Sequence, residues 1–362
     1  MKRRSSFPPS SPCIPCRLAA IGAVVLALGG GFAYVGGWLS PTRLSATRII
    51  NQFQADAGQH AGFRRNHAKG VCVAGHFDSN GNGTALSSAE VFAPGTTPVV
   101  GRFAIPGGNP SIPDGSVPVR SMALMFTQSD GQQWRTAMNS TPVFVIHTPA
   151  QFYAQLQANQ PDPATGKPNP SKVKAFFAAN PETKPFLQWV AAHAPSSSLV
   201  NASYYSIDAF RFTNAQGRTD AVRWSVVPET PYSPVTPEET SNKDFLSTDL
   251  VNRLQQGPQR WHLILTVASP GDPTDDATIQ WPSDRKQIDA GTLVLDRTNP
   301  QADGDCRDVN FDPTILPAGI KPSDDPLLAA RSSAYAVSFN RRTREEAAHG
   351  VADHKPSNGA AS

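Results

Sequence analysis

Three groups of residues in this chain have the types and spacing to do chemistry. Arg331, Tyr335 and Arg342 are separated by four and then seven positions, which sets them along one face of a helix. A phenol flanked by guanidiniums suits a tyrosine that must ionise and bind iron, because a neighbouring cation favours phenolate and phenolate donates strongly to a ferric centre. The competing reading is a basic surface helix, since Arg341, Arg344 and Lys355 are also close, and spacing alone does not decide between the two. His67 follows Arg64, Arg65 and Asn66 and precedes an apolar run, so it stands at the entrance of a strand, where a lone histidine is more often structural than catalytic. Asn139, just ahead of Thr141-Pro142-Val143-Phe144, is the third candidate.

The rest of the chain says what kind of fold must position them. Its 362 residues carry 32 Lys+Arg against 29 Asp+Glu, 17% charged and 39% hydrophobic. That suffices for a sizeable core, and the charge is too sparse for a disordered tail protein and too evenly balanced for a nucleic-acid binder. With 34 prolines and 27 glycines, many turns interrupt the regular structure and a helical bundle is disfavoured. Ile49, Ile50 and Phe53 make 43–57 an amphipathic helix. Strand-like runs come next at 70–77, 99–105, 120–127 and 142–147, with Asp130-Gly131 as a hairpin turn. Residues 171–193 read as helical with a proline break, 204–213 and 221–227 as strands paired around 214–217, and 244–254 as a helix. Strands at 261–268 and 293–296 and a last helix at 327–345 complete the set. Strands joined by hairpins predict an α+β fold, an antiparallel β-barrel with helices packed outside it.

Ahead of this body, residues 18–39 are apolar and long enough to cross a bilayer as one N-terminal transmembrane helix. Lys2, Arg3, Arg4 and Arg17 precede it, so the positive-inside rule keeps 1–17 in the cytoplasm and exports the chain beyond the span. The run continues through Phe32, Tyr34 and Trp38, which favours an uncleaved anchor over a signal sequence. The catalytic part is then periplasmic, tethered to the inner membrane or released if the segment is cut. Residues 346–362 read as a disordered tail.

Cys13 and Cys16 form a C-x-x-C with no second pair nearby and read as incidental thiols rather than a zinc site, while Cys72 and Cys306 are able to bridge only if the fold brings them together. Asp78-Ser79-Asn80-Gly81-Asn82-Gly83 opens like a calcium loop. Its twelfth position is Ala89, with the acid one place late at Glu90, so it reads as a polar turn.

Taken together, these residues resemble the haem catalases. R-x-x-H-A-K-G (Arg64 to Gly70), G-R-F (Gly101 to Phe103), N-x-T-P-V-F (Asn139 to Phe144), W-P at Trp281, L-V-L-D-R (Leu293 to Arg297), F-D-P (Phe311 to Pro313) and R-x-x-x-Y (Arg331 to Tyr335) occur in that family's order. The match is strongest to the short catalase-related peroxidases and makes 44–345 the catalase-like haem-binding domain. The resemblance implies His67 as distal acid–base, Asn139 as its partner in peroxide cleavage, Tyr335 as the proximal iron ligand and Arg331 against its phenolate oxygen. It implies Arg64, Arg102 and Arg342 as partners of the haem propionates and Phe144 and Phe152 as distal-side aromatics, or plain core. With no C-x-x-C-H motif, the implied cofactor is haem b.

There are departures. Ala104 stands where larger catalases have a serine that hydrogen-bonds the distal histidine. Asp208 aligns with a proximal histidine of many catalases, with Asp325 at the position of its acidic partner, and the chain lacks the C-terminal domain and wrapping arms of the large enzymes. The activity implied is a haem peroxidase reducing hydrogen peroxide or organic hydroperoxides with a small organic reductant, with weak catalase turnover alongside, in a membrane-attached chain that forms a homodimer and binds no nucleic acid. The alternatives are a catalase-fold isomerase of lipid hydroperoxides and a non-catalytic haem-binding protein.

Overall fold

The computed structural model describes residues 14–35 and 43–353 and divides them into two compact units, one ending at Ser45 and the other starting at Ala46. The first holds α1 (Ile14–Val35), which has the length and composition of a membrane span and equally of a signal sequence. Residues 1–13 and 36–42, and with them parts of the expected cytoplasmic segment and span, lie outside the described residues. Cys16 is disulfide-bonded, which corrects its reading as an incidental thiol.

The second unit opens with α2 (Ala46–Ala57), followed by β1 (Gly70–Ser79), β2 (Gly95–Ala104), β3 (Ser121–Thr127) and β4 (Gln133–Asn139). Then come α3 (Pro149–Ala158), α4 (Pro170–Ala179), α5 (Lys184–Ala192), β5 (Tyr204–Tyr205), β6 (Phe210–Thr213), β7 (Thr219–Pro228) and α6 (Phe245–Gln256). The chain ends with β8 (Gln259–Val267), β9 (Gln287–Pro300), β10 (Ile320–Pro322) and α7 (Pro326–Asp353). All pairings are antiparallel, and the order β1-β2-β3-β4-β5-β7-β8-β9 returns to β1, closing an eight-stranded barrel, with β6 and β10 continuing outward from β7. Closure removes the exposed edges that an open sheet of this size would leave.

The barrel is filled, not hollow. Along each strand alternate residues enter it, and Phe77, Phe103, Met122, Phe126, Trp134, Trp224 and Trp261 belong to one buried cluster. Trp134 sits at its centre, stacked on Phe126 at 4.9 Å and edge-on to Trp224 at 5.0 Å between ring centres. Burial of each such ring contributes about 1.5–3 kcal/mol. The residues between them face outward, so the outer wall of β1–β4 is built from a different set: Cys72, Arg102, Ala104, Ser121, Ala123, Ala137 and Asn139.

One expected strand is absent. The apolar run at 142–147 is not a strand; its one backbone tie across the fold runs from Phe144 N–H to Ala277 O at 2.8 Å, and it is apolar because it lines a cavity. The strand is the more polar Gln133–Asn139, whose Trp134, Thr136 and Met138 point inward. α3, absent from the sequence reading, starts at a capping box of Thr148 and Gln151 with Pro149 at its first turn. α7 runs through Asp353, past position 345 and into the expected tail, whose residues 354–362 lie outside those described. The segment after β1 is a polar turn, with Asn80 Oδ1 accepting from Asn82 N–H at 2.9 Å.

Candidate active site

The outer wall of β1–β4 meets α2, α3 and α7 around a cavity of about 320 Å³, within the ~300–1,000 Å³ usual for cofactor and small-molecule sites. Register explains its floor. Cys72, Arg102, Ala123 and Ala137 are directly opposite one another across successive strands, and so are Gly70, Ala104, Ser121 and Asn139. Gly70 and the three alanines keep the wall low: a Cβ on Gly70 would fall 2.5 Å from the Arg102 guanidinium carbon. Every candidate named from the sequence lines this cavity: His67, Asn139, Arg64, Arg102, Phe144, Phe152, Arg331, Tyr335 and Arg342.

His67 has φ +56° and Ile207 φ +67°, the two non-glycine residues in the left-handed region among those described, and both line the cavity. Such backbone costs ~1–3 kcal/mol and persists only where surroundings impose it. At His67 they do: Asn66 Oδ1 accepts from the N–H of His67 at 2.9 Å and of Gly107 at 2.8 Å, and Gly107 O accepts from Ala68 N–H at 2.8 Å. The ring's Nδ1 is buried without a partner. Burial, then the Arg102, Arg331 and Arg64 charges, push its pKa down to about 3, leaving a neutral imidazole able to accept a proton. Asn139 Oδ1 accepts from Ser121 Oγ at 2.8 Å, so the amide's N–H groups are left to face elsewhere. Ser121 lies opposite Ala104, so the hydroxyl absent at Ala104 is supplied one strand away and acts on Asn139 rather than on His67.

From α7, Arg331, Tyr335, Phe339 and Arg342 present one face to the cavity. Arg331 donates to the Asp208 carboxylate and, at 2.8 Å, to Ala137 O, which fastens the helix to β4. Burial opposes its charge, but Asp208 and Tyr335, to which it is also hydrogen-bonded, hold the guanidinium protonated beyond its ordinary range. Asp325 caps α7, accepting from Leu327 N–H at 2.8 Å with Oδ1, while Oδ2 is buried without a partner. Burial and the Asp208 charge raise its pKa to about 8, so it holds a proton beside Asp208. Asp208 is thus engaged by Arg331 while Asp325 keeps its proton, so the two neighbouring carboxyls are not an uncompensated pair.

Arg64, Arg102 and Arg342 are a different case: among the described residues no carboxylate forms a salt bridge with any of them. Arg64 donates to Val309 O at 2.9 Å and Cys306 O at 3.0 Å, Arg342 to Arg307 O, and Arg102 to Gln301 Oε1 at 2.8 Å. Burial and mutual repulsion lower Arg64 to about 9 and Arg102 well below its ordinary value. Three buried guanidiniums answered by neutral oxygens suit a ligand with anionic groups. A phenol backed by Arg331, an apolar belt of Ile49, Ile50, Phe53 and Phe152, and the unpartnered His67 nitrogen complete a donor set that fits an iron porphyrin with two carboxylates. Ile49, Ile50 and Phe53 of α2 were read from the sequence only as a helix face, and Ser121, Gln301 and the carbonyls of 306–309 were not singled out at all. Backbone acceptors leave no mark on residue type, and a serine in an alternating strand looks like any polar position.

Comparison with known proteins agrees with this geometry. A model of the catalase family matches residues 37–349. A catalase-related peroxidase of Synechococcus elongatus is 38% identical over 330 residues, which cover 91% of this chain and 97% of that one. Another, of Mycolicibacterium paratuberculosis, is 30% identical over 303 residues, 83% of this chain and 95% of that one. Among solved structures, a bacterial catalase aligns with a TM-score of 0.71 at 22% identity, covering 78% of this chain and 58% of that one. Catalase A of Saccharomyces cerevisiae gives the same score at 21% identity, so this chain spans about three-fifths of those catalases.

Proposed function

This chain belongs to the catalase family, and on that premise we propose that it is a haem-dependent peroxidase, an oxidoreductase that takes peroxide as its acceptor. The reductant in this reading is a small organic donor, the peroxide is hydrogen peroxide or an organic hydroperoxide, and the cofactor is haem b. One observation carries the reading: His67 from the segment entering β1, Asn139 from β4, and Tyr335 and Arg331 from α7 all line the same cavity.

When bound, haem supplies a redox-active iron at which peroxide is reduced. Tyr335 would ligate it, and Arg64, Arg102 and Arg342 would hold its carboxylates. The protein's own part is proton management. Neutral His67 accepts the proton of the incoming peroxide and returns it to the departing oxygen, and the Asn139 amide, its carbonyl engaged by Ser121, donates a hydrogen bond to the polarised O–O bond. Arg331 stabilises the Tyr335 phenolate and is itself neutralised by Asp208. Ile49, Ile50 and Phe53 of α2 and Phe152 of α3 give the cavity an apolar wall.

Export to an oxidising compartment is part of the proposal, with α1 as anchor or signal; the Cys72–Cys306 bridge supports it, since such bonds persist there. The test is the absorption spectrum of the haem-loaded full-length chain, with donor oxidation on adding peroxide, for the wild type and Tyr335→Phe. A ferric tyrosinate spectrum lost in the variant, with peroxide-dependent oxidation in the wild type, is expected. A wild type that takes up no haem overturns the reading.

A further inference from the structure

We propose that the Cys72–Cys306 disulfide is the positioning device of the three-arginine cradle, so that firm haem retention depends on its formation. The inference rests on the haem-binding reading above.

The disulfide joins residues 234 positions apart, with Cα atoms at 5.3 Å. Cys72 sits in the outward row of β1, directly opposite Arg102 on β2. Cys306 belongs to the loop that leaves β9 after Pro300, and this loop supplies acceptors to all three guanidiniums. Gln301 takes Arg102, while Cys306 O and Val309 O take Arg64. Arg307 O takes Arg342 and, at 3.3 Å, Arg64 as well. The loop's own turns are short-range: Gly304 N–H to Pro300 O at 2.9 Å and Arg307 N–H to Gly304 O at 2.9 Å. They shape the loop without fastening it to the barrel wall.

Gln301 Nε2 donates to Ala68 O at 3.2 Å and Arg135 of β4 donates to Asn310 O, tying the two ends of the loop, and the disulfide is the covalent tie at its middle. Gly304 lies so close to it that a Cβ there would be 2.7 Å from Cys72 Sγ, so the loop is seated on the bridge. Tyr335 packs against the same cluster of Cys72, Cys306 and Phe311. Buried cations held by backbone carbonyls are only as well placed as the backbone that carries those carbonyls. Both cysteines are buried, Cys306 at 0% and Cys72 at 2% exposure, which suits a bond kept for its geometry rather than a reactive thiol pair.

The experiment follows haem passing from the loaded full-length chain to an excess of apomyoglobin, by absorbance, for the wild type, Cys72→Ser/Cys306→Ser, Arg64→Gln and their combination. Loss from the serine variant is expected to be faster by about tenfold or more, equivalent to ~1.4 kcal/mol. The combined variant should lose haem no faster than the quicker of its parents, because both changes act through one loop. An unchanged rate overturns the proposal, and so does a combined effect equal to the product of the two. If the serine variant fails to fold, Cys72→Val/Cys306→Ala, which keeps the apolar packing, takes its place. Collapse of both also overturns it, because the bond would then hold the fold rather than the cradle. A wild type that takes up no haem overturns the functional reading and this proposal together, whereas a wild type that loses haem as fast as the variants overturns this proposal alone.

Discussion

Asp325→Asn isolates one proton on the α7 side of the site. Asp325 holds its proton up to about pH 8 in the folded chain, first because it is buried and then because Asp208 beside it is charged. In the unfolded chain it ionises near pH 3.8. A raised carboxyl stabilises the fold fully below its unfolded value, and the contribution is lost as pH rises to the folded one. The rate is about 1.4 kcal/mol per pH unit, so the window from 4 to 8 sets a ceiling of about 6 kcal/mol. Asparagine caps a helix about as well as aspartate and cannot ionise, so the bond to Leu327 N–H survives and only the titration is removed. Thermal unfolding of the full-length wild type and variant is then compared from pH 5 to 8. Over those three units the wild type loses about 4 kcal/mol relative to the variant, or about 8 °C of Tm at ~2 °C per kcal/mol. Taking the difference cancels His67, whose lowered pKa works in the opposite sense by costing stability as pH falls from about 6.5 to 3. Parallel Tm curves for the two proteins would refute a proton held on Asp325.

Three further outcomes are expected at the site. Because burial, the largest cause of the lowered His67 pKa, persists when the cradle arginines are paired, the initial rate of peroxide consumption shows no acid limb centred at the ordinary imidazole value near 6.5; a limb centred there contradicts this. Ser121→Ala removes the donor to Asn139 Oδ1 and lowers peroxide consumption about fivefold, for a hydrogen bond worth ~1 kcal/mol, with haem content unchanged; an equal fall in haem content would make Ser121 merely structural. Asp208→Asn strips the counterion from Arg331 and costs about 3–5 kcal/mol by urea unfolding, part of which Asp208→Asn/Arg331→Leu recovers.

The barrel and the nine candidates that line the cavity were legible in the sequence for different reasons. β1, β2 and β3 announce themselves because alternate residues fill a dry interior, and pattern reads burial directly. The stretch 142–147 was misread because pattern reports burial and not what does the burying; Phe144 and Val145 line the cavity, and Val145 and Ile146 pack in the cluster with Phe176 and Leu327. His67 and Tyr335 were recognisable through their motif neighbours, since neither side chain alone exceeds the background of structural histidines and tyrosines. Ser121 was not recognisable, because its meaning depends on lying opposite Ala104 on one strand and Asn139 on the next, a relation that exists only once the register is set.

Around this cavity the fold maintains an imbalance of charge with two different answers. Arg331 is answered from within by Asp208, and that pair is backed by a neutral Asp325, so the α7 side is balanced: one cation, one anion, and a phenol free to take the remaining donor. Arg64, Arg102 and Arg342 are hydrogen-bonded to peptide oxygens and one amide; burial depresses all three, neighbouring guanidiniums depress Arg64 and Arg102 further, and the more distant Glu346 and Asp308 charges offset part of the effect at Arg64 and Arg342. A chain selected for stability alone would gain by replacing them with apolar residues of similar size. Their presence on three elements, converging on one loop pinned by a disulfide, is the physical signature of a place kept for an anionic ligand. Two of these charges, Arg102 and Arg64, also help to hold His67 neutral while the cradle is unpaired. Pairing them with carboxylates would relax that repulsion and raise the basicity of His67, so cofactor binding and proton-accepting strength are coupled through the cradle.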